Sequence, residues 1–548
     1  MKPNDIPSHA FRGSGEQVQA IQFAYRRSPD QDAPQPVRHP VVIVGAGPVG
    51  LTLAIDLAQR GQPVLLVDND DRLSIGSRAL CFAKRTLEIW DRLGVGDQMV
   101  DKGVSWNVGK VFLRDEQVYQ FDLLPEEGHE RPAFINLQQY YCEAYLVERA
   151  LQFPNIDIRW KNSVTAAVPE EDGVHLTLST PEGDYSVVAD WVVACDGARS
   201  PMRGHLGLES KGRIFRDRFL IADVKMTADF PTERWFWFDP PFHPNQSVLL
   251  HREPDNVWRI DFQLGWDADP EEEKKPEKIV PRVQALLGKD TEFSLEWASV
   301  YTFSCLRMDR FVHGRVVFAG DSAHGVSPFG ARGANSGVQD ADNLGWKLDW
   351  VLRGRAGVEL LETYGPEREY AADENILNST RATDFITPKS EISRLFRDQV
   401  LALARDHEFA RRIVNSGRLS VPATLLGSPL NTPDTDRFAS RMVPGAALTD
   451  APVEVGGQRS WLLRSLGPEF TLLVFGEVPT WALGLPHVKT LSVGSDLHDT
   501  QGLLAQRLDA TPGTAYLLRP DQHVCARWRQ PSEAAVRAAL ARATCTLQ

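Results

Sequence analysis

The chain has 548 residues, with 60 Lys+Arg against 73 Asp+Glu and a net charge of −13. That acidic surplus argues against a general nucleic-acid binder, which needs basic surface to neutralise phosphates. Hydrophobic residues make up 42% and charged residues 24%, the composition of a soluble protein with material for about three domains of roughly 150 residues each.

No run of 18 apolar residues occurs, so no membrane span is expected. The six cysteines, at 81, 142, 195, 305, 525 and 545, include no CxxC pair, and no His/Cys cluster has zinc spacing, so no metal site is expected. Isolated thiols and an N-terminus without an apolar leader core lead to the expectation of a reduced, cytoplasmic protein.

Residues 1–39 are polar and Pro-rich with one apolar patch at Ile21, Phe23 and Tyr25, which reads as an N-terminal tail packed across the body. Val41-Val42-Ile43-Val44 has the β-branched run of a buried parallel strand. Gly45-Ala46-Gly47-Pro48-Val49-Gly50 follows, then a helix over 51–60 closed by Gly61, then a buried strand over 64–67 ending on Asp68. Helices are predicted near 85–93 and 138–153, and strands at 156–160, 174–178 and 190–194. Residues 217–264 alternate apolar and polar with many aromatics, the pattern of an antiparallel sheet with one face over a cavity. Residues 341–417 read as helical and 419–436 as a linker. Strands at 470–475, 488–493 and 516–518 mark a separate α/β unit.

The GxGxxG segment carries a phosphate-binding logic. Gly45 permits the tight turn, Gly47 lets a pyrophosphate approach the backbone, and Gly50 allows close helix–strand packing. Pro48 and Val49 open the helix whose N-terminus supplies free N–H groups and a positive dipole end. Asp68 stands at the next strand end, where a carboxylate accepts from ribose hydroxyls. Two later strand exits repeat the design: Val192-Val193-Ala194-Cys195-Asp196-Gly197 and Val316-Val317-Phe318-Ala319-Gly320-Asp321-Ser322-Ala323-His324. The second continues through Pro328, Gly330 and Gly333 into a helix near Asn335. There a helix N-terminus can stabilise negative charge on a flavin. Asp321, Ser322 and His324 crowd one strand exit and do not read as a triad, and no GxSxG elbow is present.

Taken together, Gly45–Gly50, Asp68, Ser77-Arg78-Ala79, Asp196-Gly197 and Gly320-Asp321 through Asn335 to Trp346-Lys347 resemble the single-component FAD aromatic hydroxylases. These are the group A flavoprotein monooxygenases, which include 4-hydroxybenzoate and phenol hydroxylases, and the resemblance spans about 40–400. It implies an α/β fold: a Rossmann-like FAD-binding domain over 40–216 and 300–418, interleaved with an antiparallel substrate sheet over 217–299. The part after 440 resembles the thioredoxin-like C-terminal domain of phenol hydroxylase-like members, here 437–548. Lacking CxxC it cannot run thioredoxin chemistry, so a packing role or a homodimer contact is expected.

The resemblance also implies site roles. Arg78 would reach the FAD diphosphate or ribityl region, and Gln139 (or Gln138, in the neighbouring register) would contact the flavin. Asp196 and Gly197 would serve a path shared by FAD and NADH or NADPH. Asp321 would hold the ribityl chain; Gly333, Ala334 and Asn335 would meet the flavin ring. The Pro328 carbonyl would face the substrate phenol, and Arg259 falls where a flavin-contacting arginine is found. Asp68 replaces the commoner Glu, and Arg332 stands where many members carry Gln. The implied reaction is hydroxylation of a phenolic ring with NAD(P)H and O2 through a flavin C4a-hydroperoxide. The alternative is an epoxidase or reductase of the same fold acting on a non-phenolic polyketide, prenyl or heterocyclic compound. A flavin-binding scaffold protein is a third, disfavoured by the intact motif set.

His251, Arg259 and Asp261 share one alternation parity, so all three can point to one sheet face. His251 would polarise a phenol or bind a carboxylate; the alternative is that each of the three is a surface or ion-paired sheet residue. Trp235 and Trp237 also share a face, for which cavity lining and plain sheet packing remain equally open.

Overall fold

The computed structural model describes residues 6–546 apart from 77, 229 and 415–419. Its first sheet is built on β-branched runs that are buried on both faces. Strand Val37–Val44 lies between Val64–Asp68 and Gly183–Ala194, all parallel, flanked by Ile156–Trp160 and Val316–Phe318. The register aligns their C-terminal ends: Val44 pairs with Val67 and Ala194, and Ala194 with Phe318. One edge of the sheet therefore gathers Gly45, Asp68, Asp196 and Asp321, residues far apart in the chain. In open α/β sheets this carboxyl edge is where ligands bind.

Helix Pro48–Gln59 covers this sheet and packs directly on the long helix Gly333–Leu352. Glycines make that approach possible. A Cβ on Gly337 would stand 2.6 Å from Val49, and one on Gly345 would meet the Asp56 carboxylate at 2.1 Å. The N-terminal segment is tied down rather than loose, with Phe11, Val18, Ile21 and Phe23 buried and Phe23 stacked on Trp160 at 4.1 Å.

The second sheet has eight strands, in the order His324–Gly325, Ser294–Met308, Ser210–Lys225, Val257–Leu264, Ser247–Arg252, Arg234–Phe238, Val108–Leu113 and Glu116–Asp122. The last two were absent from the sequence reading, because Gly109, Lys110 and Gln117 break the apolar rhythm. One face is aliphatic and aromatic and lies under helix Pro276–Leu287, through Ile279 and Val283. Trp237, Trp258 and Phe262 are buried there, with Trp235 packed at the margin, so the two tryptophans belong to the sheet's apolar packing. The opposite face turns Phe219, Phe236, Phe238 and Phe303 toward Phe329.

The C-terminal unit has four strands in the order Val488–Val493, Phe470–Phe475, Ala515–Leu518, Val524–Trp528, the first pair parallel and the others antiparallel. That is a thioredoxin-like sheet. Cys525 and Cys545 are free thiols and Cys525 is buried. A buried ionic network joins this unit to the long helix. Glu367 accepts from Lys347 at 2.7 Å and from Arg519 at 2.6 and 3.1 Å, and Arg519 also donates to Asp521. Arg85 donates to the Asp521 carbonyl at 2.7 Å and pairs with Asp342. Burial pushes the Glu367 carboxyl upward, but the Arg519 and Lys347 charges outweigh it and hold the group below its usual range. Burial brings the Lys347 ammonium down to about 8.

Replacing Arg519 with Met would leave Lys347 as the one cation on Glu367 and take the guanidinium from the buried Asp521. The expected loss is about 3–5 kcal/mol, the cost of breaking a buried pair from one side. It is read as a fall in the denaturant midpoint of the flavin-loaded protein, whereas an unchanged midpoint would show that the network does not hold the unit in place.

Candidate active site

A cleft of about 410 Å³ opens at the carboxyl edge of the parallel sheet, lined by Gly45, Gly47, Asp68, Arg78, Gln139 and Asp196 among others. The three motif glycines play separate parts. Gly45 has φ +108°, and a Cβ there would lie 2.4 Å from the Cys195 carbonyl. A Cβ on Gly50 would meet the Gly45 carbonyl at 2.0 Å, so strand and helix touch through bare backbone. A Cβ on Gly47 meets nothing within 4 Å: the space above it is open, as a diphosphate requires. Pro48 occupies the first helical turn, where its missing N–H costs nothing, and no side chain caps the N–H groups that follow. Asp68 accepts from the Ala46 N–H at 2.6 Å and the Asp70 N–H at 2.8 Å. Burial nevertheless pushes its carboxyl upward.

Asp196 accepts from the Met202 N–H at 2.9 Å through one oxygen, while its other oxygen is buried without a partner. Gly197 beside it has φ +78° and open space where a Cβ would stand. An orphaned acceptor, two open glycines and an uncapped helix N-terminus fit the ribose and phosphate chemistry of a dinucleotide. Gln139 fixes the cleft's far wall. It accepts from the Ala79 N–H at 2.9 Å and donates to Glu143 at 2.7 Å. Arg78 is exposed on that wall, and neighbouring Ser77 lies outside the described residues. Gln138, in the alternative register, points instead to the Pro254 carbonyl.

Asp321 sits at the next strand exit. Water reaches it along the open side, although protein atoms crowd its other sides and push its carboxyl upward. A Cβ on Gly333 would come within 4.0 Å of its Oδ1, so Asp321 adjoins the N-terminus of helix Gly333–Leu352. That N-terminus has no side-chain cap, leaving the N–H groups of Gly333, Ala334 and Asn335 available. The Asn335 side chain is committed elsewhere: it donates to the Cys81 carbonyl and accepts from the Ala83 N–H and the Thr86 hydroxyl. Only its backbone can serve a flavin. Pro328 is exposed, its carbonyl accepting from the Ala331 N–H at 3.0 Å. Gly330 and Ala331 both have positive φ, +103° and +52°, a strained turn at a functional loop. Arg332 is buried and donates to the Phe329 carbonyl.

The sheet face opposite these loops carries a polar row in cross-strand register. Trp297 pairs with Asp223, Asp223 with Arg259, and Arg259 with His251. Arg259 is buried and forks onto Asp223 at 2.9 and 3.1 Å, so its guanidinium is pinned by that carboxylate. His251 is 2% exposed, and neither ring nitrogen has a hydrogen-bond partner; the nearest acid, Asp261, is 3.9 Å away. Burial, reinforced by the Arg234 and Arg259 charges, holds His251 neutral, well below the usual histidine range. Burial raises Asp261 to about 6 and drives Glu253 well above the carboxylate range. The expected juxtaposition of His251, Arg259 and Asp261 is thus present. Arg234, Asp223 and Glu253 were missed. Arg234 shares parity with Phe236 and Phe238, but a cation heading an aromatic strand gives no sequence sign of burial.

Two glycine variants separate cradle from scaffold. Gly47→Leu is expected to fold, by circular dichroism, yet to purify with less than about a tenth of its flavin. Gly50→Ala should fail to accumulate as folded protein. Asp321→Ala should also lose flavin on purification; full flavin occupancy in that variant would remove Asp321 from the cofactor site.

Residues 38–379 match the family model described as FAD binding domain. Over 527 residues the chain is 31% identical to 6-methylpretetramide 4-monooxygenase of Streptomyces rimosus, covering 91% of each protein. It is 30% identical to a probable NADH-specific resorcinol 4-hydroxylase of Rhodococcus jostii (strain RHA1), covering 90% of this chain and 93% of the relative. Among solved structures, the flavin-dependent monooxygenase PieE in complex with FAD and substrate has a TM-score of 0.79 at 23% identity, covering 94% of this chain and 100% of that one. Aklavinone-11 hydroxylase with FAD and aklavinone follows at 0.76 and 24%, covering 93% and 99%; both likenesses speak to fold. With the cradle, the uncapped helix ends and these matches in agreement, the chain belongs to the group A FAD-dependent aromatic hydroxylases and is an FAD-dependent monooxygenase.

Proposed function

We propose that the protein hydroxylates a phenolic ring, taking electrons from NADH or NADPH and the oxygen atom from O2. The observation that carries this reading is His251: a buried, neutral imidazole with both nitrogens unpartnered, on the same sheet face as Phe219, Phe236 and Phe238. FAD, when bound, supplies the redox chemistry that passes one oxygen atom to the ring.

The chain's own residues bind, orient and move a proton. Gly45, Gly47 and Val49 present backbone to the diphosphate, with Pro48 shaping the turn and Gly50 letting the helix close on the strand, and Asp68 takes the ribose hydroxyls. Arg78, Gln139, Asp196 and Gly197 hold the middle of the cofactor and the approach of the nicotinamide, and Asp321 the ribityl chain. The N–H groups of Gly333, Ala334 and Asn335, at the positive end of a 20-residue helix, stabilise negative charge on the flavin ring. His251 accepts the phenol proton, and the Pro328 carbonyl orients the hydroxyl. Arg259, neutralised in part by Asp223, keeps a positive potential behind the ring. The aromatic cluster around Phe329 excludes water.

Reduced-nicotinamide oxidation and O2 uptake should both rise when hydroxybenzoates, resorcinol or hydroxyphenylpropionates are added to the yellow protein, with little H2O2 released. No stimulation by any phenol would move the reading to a non-phenolic substrate. The pH dependence is a sharper check. An imidazole held well below 6.5 stays a base throughout neutral pH. The hydroxylation rate should stay flat down to roughly pH 7 and then fall near 6 as Asp261 takes up its proton. That acid limb should vanish in Asp261→Asn, and His251→Ala should lower the rate about 10²-fold at all pH values.

A further inference from the structure

Beyond His251, the polar row ends in a cation that no carboxylate touches among the described residues. Arg234 is 4% exposed, its Nε has no hydrogen-bond partner, and no carboxylate lies within 4 Å of it among the described residues. Its one polar side-chain contact is Nη1 to the Cys81 sulfur at 3.6 Å. Its guanidinium lies over two aromatic rings, Trp106 at 5.9 Å and Phe236 at 5.1 Å. Arg259 on the same sheet face, by contrast, is paired with Asp223. Taking a guanidinium out of water without a counter-ion is costly, and folds retain one where an anion arrives to answer it.

Position supports the same conclusion. The Cys81 carbonyl accepts from Asn335, in the first turn of the flavin-facing helix, at 2.9 Å. Ala331 of the strained turn packs on the cluster of Cys81, Trp106 and Phe134. Arg234 therefore stands between the flavin end of the site and the polar row, with the Trp106 and Phe236 rings beside its guanidinium. Its charge acts on Cys81, His251 and Asp261, with Glu253 and Arg259 among the groups acting on Cys81 from beside them, and Asp261 makes no contact with it within 4 Å. Cys81 is kept protonated by burial and His251 neutral, so neither neutralises the arginine.

We propose that Arg234 is a substrate-binding residue that takes an oxyanion carried on a planar aromatic ring, sandwiched between Trp106 and the flavin-side loop. This deepens the phenol reading above and rests on it. The oxyanion has two sources: the phenolate left when His251 takes the proton, or a carboxylate elsewhere on the ring. The guanidinium's planar fork suits either.

The test is a binding measurement on the oxidised, FAD-loaded protein, so it does not depend on turnover. The probes are 4-nitrophenol, whose phenolate absorbs in the visible, and benzoate, followed by the flavin spectrum. In the unchanged protein, bound 4-nitrophenol should ionise at a pH about one unit or more below that of the free compound. In Arg234→Met that ionisation should rise by at least about one pH unit, with Arg234→Lys in between, if the phenolate is the ligand. If the carboxylate is the ligand, benzoate should instead weaken at least tenfold in Arg234→Met with the nitrophenol ionisation unmoved. Unaltered binding of both probes in a flavin-loaded Arg234→Met overturns the proposal. So does preferential binding of neutral nitrophenol to the unchanged protein, which needs no variant to fold, and so does failure of both probes to perturb the flavin at millimolar concentration. Loss of phenol-stimulated turnover with these binding results intact would instead count against the hydroxylation reading alone.

Discussion

The site's geometry hangs on one buried carboxylate. Asp340, in the second turn of helix Gly333–Leu352, accepts from the Gly320 N–H at 2.9 Å, from Arg368 at 2.6 Å and from His324 at 2.6 Å. It is fully buried, and burial alone would raise its pKa, but the His324 and Arg368 charges hold it ionised, below its usual value. These contacts lock the strand exit carrying Asp321 to the helix whose N-terminus is proposed to face the flavin, and both to helix Tyr364–Ile386. A cofactor held at its ribityl chain by one segment and at its ring by another is positioned only if the two cannot slide. His324 thus belongs to the scaffold: its ring is spent on Asp340, which is why it takes no part in a triad with Asp321 and Ser322.

The second sheet solves a different problem, holding charged groups inside the fold. Its lower face is a conventional apolar layer under helix Pro276–Leu287. Its upper face divides along the strands into a phenylalanine cluster and a row of buried ionisable groups. Low dielectric strengthens every interaction in that row and also raises the cost of leaving any member unanswered. Arg259 is answered by Asp223, whereas both His251 nitrogens and the Arg234 Nε have no hydrogen-bond partner. Preorganised but unsatisfied groups of this kind are how a binding site differs from a core.

Much of the cofactor half was legible in the sequence because its signals are local. Gly45 to Gly50, the strand before and the acid at the end of the next strand lie within 30 residues, and their periodicities dictate the fold of that stretch. Asp196 and Asp321 were legible for the same reason, each ending a β-branched run. What stayed hidden depends on contacts between distant segments. Parity placed Trp235 with Trp237 but could not say which face met helix Pro276–Leu287. The strands Val108–Leu113 and Glu116–Asp122 join the sheet's edge with too mixed a pattern to announce themselves. Asn335 looked like a cofactor contact, yet its amide bridges Cys81, Ala83 and Thr86, a use that only the folded chain creates. Arg519 and Asp521 lie in the stretch 518–523 that carries part of the C-terminal resemblance, but their burial follows from docking against Glu367, which no local pattern announces.

The central claim is that an oxygen atom from O2 enters the ring of a phenol bound between the two sheets. A single turnover of the reduced, FAD-loaded protein under ¹⁸O2 with a stimulating phenol, followed by mass spectrometry of the product, tests it most directly. The account predicts one labelled oxygen in the hydroxylated ring and the other in water. An oxidised product free of label, with all the label in H2O2 or water, would contradict it and make the protein a flavin oxidase or reductase built on a hydroxylase fold.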